Sequence, residues 1–206
     1  KVKNDIFDEN KLVLMDFRVD QSKGIHFIYL VPFAKNKALI ESTMFSFNEE
    51  NDEWYIKAIE NYLYKFYNLN EWTVLDEEKG SIPMTVIDEP KNDFINIGTM
   101  SGAMKPSSGY AMSFIQKQIS DLFQNDSIIN RNITNPHKKI DLWMDKVFLK
   151  VLEADSIMAI DIFIKLGKIL NGDEFALFMS GQANMLIRLK IIFKMPKKPF
   201  LKALLH

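Results

Sequence analysis

The chain has 206 residues, 47% of them hydrophobic, so it is long enough to bury a substantial core. Its 26 basic and 27 acidic residues leave a net charge of -1, which excludes a bulk field that favours nucleic acid. Cysteine is absent, which excludes disulfides, thiolate metal sites and cysteine nucleophiles and fits a cytoplasmic protein. The three histidines are scattered along the chain, so we expect no metal site.

Strand-length apolar runs open the sequence. Residues 11–18, 25–33 and 37–46 are rich in β-formers and separated by short polar segments, which predicts an antiparallel meander. Apolar residues then recur at helical spacing from Glu53 to Tyr67, which predicts an amphipathic helix. A further strand is predicted at 72–78.

The second half begins with two more apolar runs. Residues 81–87 and 94–98 predict two strands, and the second leads through a turn-rich loop into a helix from about Gly109 to Phe123. This order is a strand, loop and helix unit.

The remainder of the sequence, from His137 onward, shows no strand pattern. It predicts three or four helices, broken near Asp155, at Asn171-Gly172 and near Gly181. Asp173 is the predicted N-cap of the third helix.

The predicted fold class is therefore α+β. We expect an antiparallel substrate-domain sheet with one helix at 1–92, the strand, loop and helix unit at 93–125, and an all-helical region at 126–206. The chain begins with Lys1, and we expect an upstream part of the protein to precede it. Basic residues interrupt the best apolar run, so a membrane-spanning helix is not predicted.

The loop at 98–110 reads GTMSGAMKPSSGY. Its glycines let the backbone approach a ligand closely, and a helix that starts after it would direct free N–H groups and a positive dipole end toward an anion. Lys105 adds a positive charge. The alternative is an ordinary Gly/Pro/Ser turn before a capped helix.

Glu41 lies within an apolar strand, in the run ALIESTMFS. Alternation places it on one face with Leu39, Thr43 and Phe45. Apolar surroundings disfavour an ionised carboxyl group, so a glutamate in this position can hold a proton near neutral pH and deliver it to a weak base such as an alkene. The alternative is a solvated glutamate on an edge strand.

Aromatic residues on the same two strands are candidate walls for a substrate pocket. Each ring face can stabilise a cation by roughly 0.5 to 2 kcal/mol. The alternative is that these rings are sheet core. The candidate pocket residues are Phe27, Tyr29, Phe33, Thr43 and Phe45.

Five ordered segments resemble those of the lycopene cyclase family, over roughly residues 11 to 125. They are LMDFR (14–18), F-x-Y-x-x-PF (27–33), LIEST (39–43), GSIPM (80–84) and KPSSGY (105–110). The loop is also similar to loops of flavin-dependent hydroxylases and geranylgeranyl reductases. The resemblance therefore implies an FAD-binding fold whose loop contacts the flavin through Gly98, Gly102, Lys105, Pro106, Ser107, Ser108, Gly109 and Tyr110.

The resemblance also implies roles for three residues of the sheet. Glu41 matches the family's acid/base glutamate, and Asp16 and Arg18 match the core of its MDFR segment. Asp16 and Arg18 share a face and can instead pair with each other as a structural unit. Many members have a second acid after the glutamate where this chain has Ser42, which argues against a two-carboxylate relay.

The function implied is that of a bacterial lycopene cyclase. Such an enzyme cyclises the end group of lycopene to β-carotene without net redox change, with reduced FAD as cofactor and NAD(P)H as reductant. An N-terminal segment of the same protein would hold most of the FAD, because no G-x-G-x-x-G fingerprint occurs in this sequence. The alternatives are a redox enzyme of the same flavin superfamily and a non-enzymatic lipid-binding module.

The C-terminal tail is basic and apolar. No acidic residue follows Glu174, whereas six basic residues lie among large apolar ones after residue 184. The tail therefore suits a peripheral position on the inner membrane surface, close to a hydrocarbon substrate. The alternative is a terminal helix that packs on the core with a solvated lysine face.

Overall fold

The computed structural model describes residues 1–87, 96–124 and 135–205. These residues form a three-stranded antiparallel sheet, seven α-helices and a short 3₁₀ helix, which confirms the α+β class. The chain divides into two compact units, Lys1–Gly80 and Ser81–His206. The FAD-binding fold and the division at 92 and 125 stay predictions.

The sheet of the first unit is the predicted meander. Strands β1 (Val13–Asp16), β2 (Ile25–Ala34) and β3 (Lys37–Phe45) pair antiparallel in the order β1-β2-β3. Tyr29 lies directly opposite Glu41 in the pairing of β2 with β3. Because residues that lie opposite each other point to the same face, this register decides what surrounds each side chain.

Helix α1 (Asp52–Tyr67) confirms the helix predicted from the spacing of apolar residues. The Asn51 side chain caps it by accepting a hydrogen bond from the Trp54 N–H at 2.9 Å. Its buried Tyr62 packs with Ile28 and Leu30 of β2 in one apolar core. One face of the sheet is thus the face that α1 covers.

The strand predicted at 72–78 is wrong. Within the described ranges, Thr73 is the one residue of this segment that exchanges backbone hydrogen bonds with another segment. It donates its N–H to Lys1 O at 2.8 Å and accepts from the Lys1 amino group at 2.8 Å. Residues 73–78 are exposed, and the polar DEE sequence stays in solvent instead of joining the sheet.

The two strands predicted for the start of the second unit are not present among the described residues. Residues 81–87 are irregular. Of the run 94–98, residues 94 and 95 lie outside the described residues, 96 and 97 are irregular, and Gly98 begins the 3₁₀ helix (Gly98–Ser101). Apolar composition alone does not make a strand when the described neighbours offer no backbone ladder.

Beyond the loop that ends at residue 111, the described residues of the second unit are mainly helical. Its helices are α2 (Met112–Gln124), α3 (Lys139–Ala154), α4 (Ser156–Ile169), α5 (Gly172–Met179), α6 (Met185–Lys194) and α7 (Lys197–Leu205). Five helices therefore follow His137, one more than the upper prediction. The extra break lies at Met195, which is extended (ψ 153°) before Pro196, as a residue that precedes proline prefers.

The N-cap of helix α5 is Asn171, two residues before the predicted cap. Asn171 accepts from the Glu174 N–H at 2.8 Å, and the Glu174 carboxylate accepts from the Asn171 N–H at 3.0 Å. This is a capping box. The prediction of Asp173 as N-cap is wrong, because Asp173 lies in the first turn, where its charge meets only the helix dipole.

We expect Asn171→Ala to lower the free energy of unfolding by about 1 kcal/mol, because two backbone N–H groups lose their organised partners. Asp173→Ala is the matched control and should cost only a few tenths of a kcal/mol. Urea denaturation of both variants measures the difference. A larger loss for Asp173→Ala would contradict the assignment of the cap.

Candidate functional site

Glu41 lies on the sheet face opposite to α1. Its strand neighbour across the ladder is Tyr29, and the Thr43 hydroxyl donates a 2.5 Å hydrogen bond to Glu41 Oε1. The Glu41 side chain is exposed. The described residues therefore leave the carboxylate open to solvent, and the desolvation expected from the sequence is not supplied by its strand neighbours.

The same face carries a cluster of aromatic rings. The ring of Phe27 contacts those of Phe17 (5.6 Å between centroids), Tyr29 (5.2 Å) and Phe45 (5.2 Å), all edge to face. Phe27 is fully buried, whereas Phe33 is 62% exposed. Phe27 thus forms the base of the cluster, and the half-buried Tyr29 and Phe45 present its accessible surface. Phe33 lies at the irregularity between Pro32 and Ala34, and its place in the substrate pocket stays a prediction.

The pKa of Tyr29 reflects the apolar and negatively charged surroundings on this face of the sheet. Burial, and then the negative charge of Glu41, raise the pKa of the Tyr29 hydroxyl to about 12. Glu41 and Tyr29 are therefore electrostatically coupled across the β2–β3 ladder. The carboxylate, its Thr43 donor and the aromatic rings form one continuous surface on a single face of the sheet.

Ser42 lies on the other face, toward α1. Its hydroxyl is 2.9 Å from Nε2 of the buried His26, whose Nδ1 is 2.9 Å from the Asp20 carbonyl. Burial lowers the pKa of His26, so the ring is neutral at pH 7. Strand alternation thus separates residue 42 from Glu41, even though the two are adjacent in sequence.

Asp16 and Arg18 form the ion pair that the sequence left open. Arg18 donates from Nε to Asp16 Oδ1 (2.8 Å) and from Nη2 to Asp16 Oδ2 (2.5 Å), and the Tyr62 hydroxyl of α1 donates to Oδ2 at 2.8 Å. Burial alone would raise the pKa of Asp16, but these hydrogen bonds outweigh it and lower the pKa. The pair joins β1 to α1 on the face away from Glu41, and its catalytic role stays a prediction.

The loop at 98–110 is organised by the second unit itself. The Gly98 N–H donates to Gln118 Oε1 at 2.8 Å, and Ser101 also contacts Gln118. Gly102 adopts φ 75°, and a Cβ atom there would lie 2.8 Å from the Ile87 carbonyl oxygen. Glycine is therefore required at 102 for the packing of the loop.

Lys105 and Ser107 are committed to a buried carboxylate on α3. Lys105 Nζ forms an ion pair with Asp145 Oδ1, and the Ser107 hydroxyl donates to the same oxygen at 2.7 Å. Lys105 is 4% exposed and Asp145 3%. The charge of Lys105, which was predicted to lie beside a cofactor, is thus neutralised by Asp145 within this unit. A cofactor contact by Lys105 stays a prediction.

The accessible part of the loop lies at its two ends. Residues 101–107 are buried, whereas Thr99, Met100 and Tyr110 are exposed and Ser108 and Gly109 are half-buried. Gly109 adopts φ 73°, which ends the turn and lets α2 begin at Met112, three residues later than predicted. Thr99 and residues 108–110 leave surface that a flat ligand can contact, and in this respect the loop fits a cofactor. Contacts from the buried centre of the loop stay predictions.

Sequence reasoning missed three residues of these sites, His26, Tyr62 and Asp145. Each lies in a sequence segment where it resembles ordinary strand or helix composition. The sequence could have indicated Asp145, because an aspartate on the apolar face of a helix is buried and therefore needs a cation as its partner. The described residues contain no group of three or more side chains suited to hold a metal ion.

We expect Asp145→Ala to destabilise the protein by about 3 to 5 kcal/mol, because it leaves the Lys105 ammonium buried without its counter-charge. Lys146→Ala, at the exposed neighbouring position, is the control and should change stability by less than about 0.5 kcal/mol. Thermal and urea unfolding measure both. Equal stability of the two variants would show that the buried pair does not hold the loop.

Comparisons with known proteins agree with the resemblance of the motifs. The family model described as lycopene cyclase protein matches residues 1–205. A lycopene beta-cyclase of Pantoea ananas is 26% identical over 210 residues, which cover 93% of this chain and 53% of that protein. A lycopene beta-cyclase of a Paracoccus species is 25% identical over 119 residues, 53% of this chain and 30% of that protein.

The chain spans about half the length of the Pantoea relative and less of the Paracoccus one. No solved structure matches it. Since the family model covers all but the last residue, and the two relatives carry the same printed name, this chain belongs to the lycopene cyclase family.

Proposed function

We propose that the protein cyclises the end group of a linear carotene, lycopene to β-carotene, with Glu41 as the proton donor. The observation that carries this proposal is the position of Glu41 beside an aromatic surface, with Tyr29 opposite and Phe45 on the same face. A carboxyl group next to ring faces is the arrangement that protonation of an alkene requires. Membership of the family supports the choice of substrate.

The reaction is balanced without an oxidant or reductant. Glu41 gives its proton to the terminal double bond, the neighbouring double bond attacks the cation and closes the ring, and loss of a proton from the ring restores a double bond. The product has the same formula as the substrate. We assign the return of the proton to Glu41 as well, since Ser42, at the position of a second acid, faces the other side of the sheet.

Thr43 orients the carboxyl group. Its hydroxyl donates to Glu41 Oε1 at 2.5 Å, which leaves Oε2 as the oxygen that carries and transfers the proton. Glu41 is exposed in the chain alone, so the hydrocarbon itself supplies the desolvation when it lies along this face. Excluding water disfavours the carboxylate and favours the protonated acid at the moment of reaction.

The aromatic surface stabilises the cation. Tyr29 and Phe45 present ring area to a substrate on this face, and Phe27 supports them from beneath. We assign the exposed Phe33 as a further ring contact. Each accessible ring contributes roughly 0.5 to 2 kcal/mol to a desolvated cation. The raised pKa of Tyr29 keeps its hydroxyl neutral at working pH, so it does not quench the cation as a phenolate.

The proposed cofactor is reduced FAD, with NAD(P)H as its reductant and an N-terminal segment of the same protein as its main holder. When bound, a reduced flavin supplies negative charge near the carbocation without taking part in net redox change. In this chain, Thr99 and Ser108 to Tyr110 are the accessible loop positions that would contact it, and the buried Gly98 would contact it only through its backbone. The buried Gly102, Lys105, Pro106 and Ser107 would shape the loop from behind.

We expect Glu41→Gln to reduce cyclisation at least about 100-fold, because it removes the acid and leaves the shape unchanged. The full-length protein is expressed in a lycopene-producing host, and carotenes are separated and weighed by mass spectrometry. Glu60→Gln, at an exposed position of α1, is the control and should keep full activity.

Three outcomes would overturn the proposal. Full activity of Glu41→Gln would remove Glu41 as the acid. A product that differs from lycopene by two hydrogens or one oxygen would instead identify a redox enzyme of the flavin superfamily. Lipid binding with no carotene product would favour the non-enzymatic module.

We also propose that α6 and α7 rest on an anionic membrane surface. Leu186 is 75% exposed and Phe193 69%, and α7 adds exposed Leu201 and Leu204. Among the described residues, no helix is both long and apolar enough to cross a bilayer. Exposed apolar groups interspersed with lysines favour adsorption to a lipid surface.

Only part of the basic tail is available for this contact. Arg188 is buried and paired with Asp141 at 2.7 Å, and Lys190 pairs with Glu174 at 2.6 Å. Lys194, Lys198 and Lys202 are exposed on α6 and α7 and form no ion pair within the described ranges. These three are the cations that we assign to the lipid headgroups.

We expect the triple variant Lys194→Gln, Lys198→Gln, Lys202→Gln to bind vesicles with 30% phosphatidylglycerol on the order of 100-fold more weakly, at about 1 kcal/mol for each charge. Lys139→Gln, Lys146→Gln, Lys150→Gln removes the same charge from α3 and serves as control. Vesicle co-sedimentation measures both. Equal binding by the two triple variants would contradict the assignment.

A further inference from the structure

A cleft of about 450 Å³ opens in the first unit on the α1 side of the sheet. One wall is the segment from Arg18 to Asp20 with His26, and the other is helix α1 from Trp54 to Phe66. Glu41 lies on the opposite face of the sheet, so this cleft is separate from the proposed carotene surface. The reaction proposed above assigns it no role.

Helix α1 lines the cleft with a polar row. Lys57, Asn61 and Lys65 follow each other at intervals of four residues and therefore share one side of the helix. Neither lysine forms an ion pair with any residue that the structure describes. Their Cα atoms are roughly 12 Å apart at 1.5 Å of rise per residue, so two flexible side chains can converge on one anion beside Asn61.

Arg18 faces this row from the other wall and is held in place. Asp16 occupies its Nε and Nη2, and its guanidinium lies 4.2 Å from the centroid of the Phe66 ring. The side chain nevertheless remains 67% exposed. A guanidinium fixed in this way loses little freedom when it receives an anion, which is the requirement for a preorganised contact.

The charge and the floor of the cleft define the ligand. Asp20 is the single acid among the lining residues, and Ser22 occupies it through two hydrogen bonds of 3.0 and 2.8 Å. The cleft therefore contains three cations and one carboxylate, Asp20, which is already hydrogen-bonded to Ser22. Asp16, outside the cleft, balances the charge of Arg18. Trp54, Tyr62 and Phe66 supply aromatic area beside the cations.

We propose that this cleft binds a phosphate-bearing ligand, with Lys57 and Lys65 as the charge contacts, Arg18 as a positioned donor and Asn61 as a further donor. A diphosphate or phosphate ester carries the charge that these donors favour, and the volume admits an organic group against Trp54. The same chemistry is offered by a free nucleotide and by a lipid headgroup. The site is independent of Glu41 and of carotene binding.

The test is calorimetric titration of the full-length protein with inorganic pyrophosphate at constant ionic strength. We expect saturable binding that Lys57→Gln/Lys65→Gln weakens at least about tenfold, from the loss of two charged contacts. Lys57→Arg/Lys65→Arg should retain it. Lys146→Gln/Lys150→Gln removes the same charge from exposed positions of α3 and should bind as the unaltered protein.

Further arms identify the source of the phosphate. Competition by ADP but not by phosphatidylglycerol vesicles would assign a free nucleotide, and the reverse would assign a lipid headgroup. Absence of saturable binding, unchanged binding in Lys57→Gln/Lys65→Gln, or an equal loss in the α3 control would each overturn the proposal. Cyclase activity does not enter the readout, so the outcome is distinct from that for Glu41.

Discussion

The pairing of β2 with β3 is the constraint on which the first unit depends. Tyr29 lies opposite Glu41, and Ile28 lies opposite Ser42. A slip of β3 by one residue would turn Glu41 and Phe45 toward α1, while Phe27 and Tyr29 of β2 would stay on the opposite face. The buried Ile28 and Leu30 fix the register, because they must pack against Tyr62. The position of the candidate acid is therefore set by apolar packing on the other side of the sheet.

Much of this arrangement was accessible from the sequence. Period-two alternation placed Glu41 with Thr43 and Phe45, and helical spacing gave α1 within one residue of its start. The predictions of strands at 72–78 and 81–87 were wrong. Composition indicates that a segment is compatible with a sheet, but it does not show that a neighbouring strand is available for pairing. Propensity is local, whereas a ladder needs a partner.

The long-range polar contacts could not be predicted in the same way. Asp16 meets Tyr62 across 46 residues, and Arg188 meets Asp141 across 47. Nothing in the local sequence of α3 indicates that two of its aspartates are buried and paired with cations from different segments. Such pairs depend on how the helices pack, and a sequence pattern does not predict which helices are neighbours. They also explain why the basic tail has fewer unpaired cations than its composition suggests.

The contact between Lys105 and Asp145 has an evolutionary consequence. Because both charges are buried and form an ion pair with each other, a change at one position alone leaves an unpaired ion in the core. A relative with an uncharged residue at position 105 should carry an uncharged residue at position 145 as well. The glycine-rich loop and helix α3 are thus expected to covary, so that a segment often treated as a separate motif is inherited together with a helix 40 residues away.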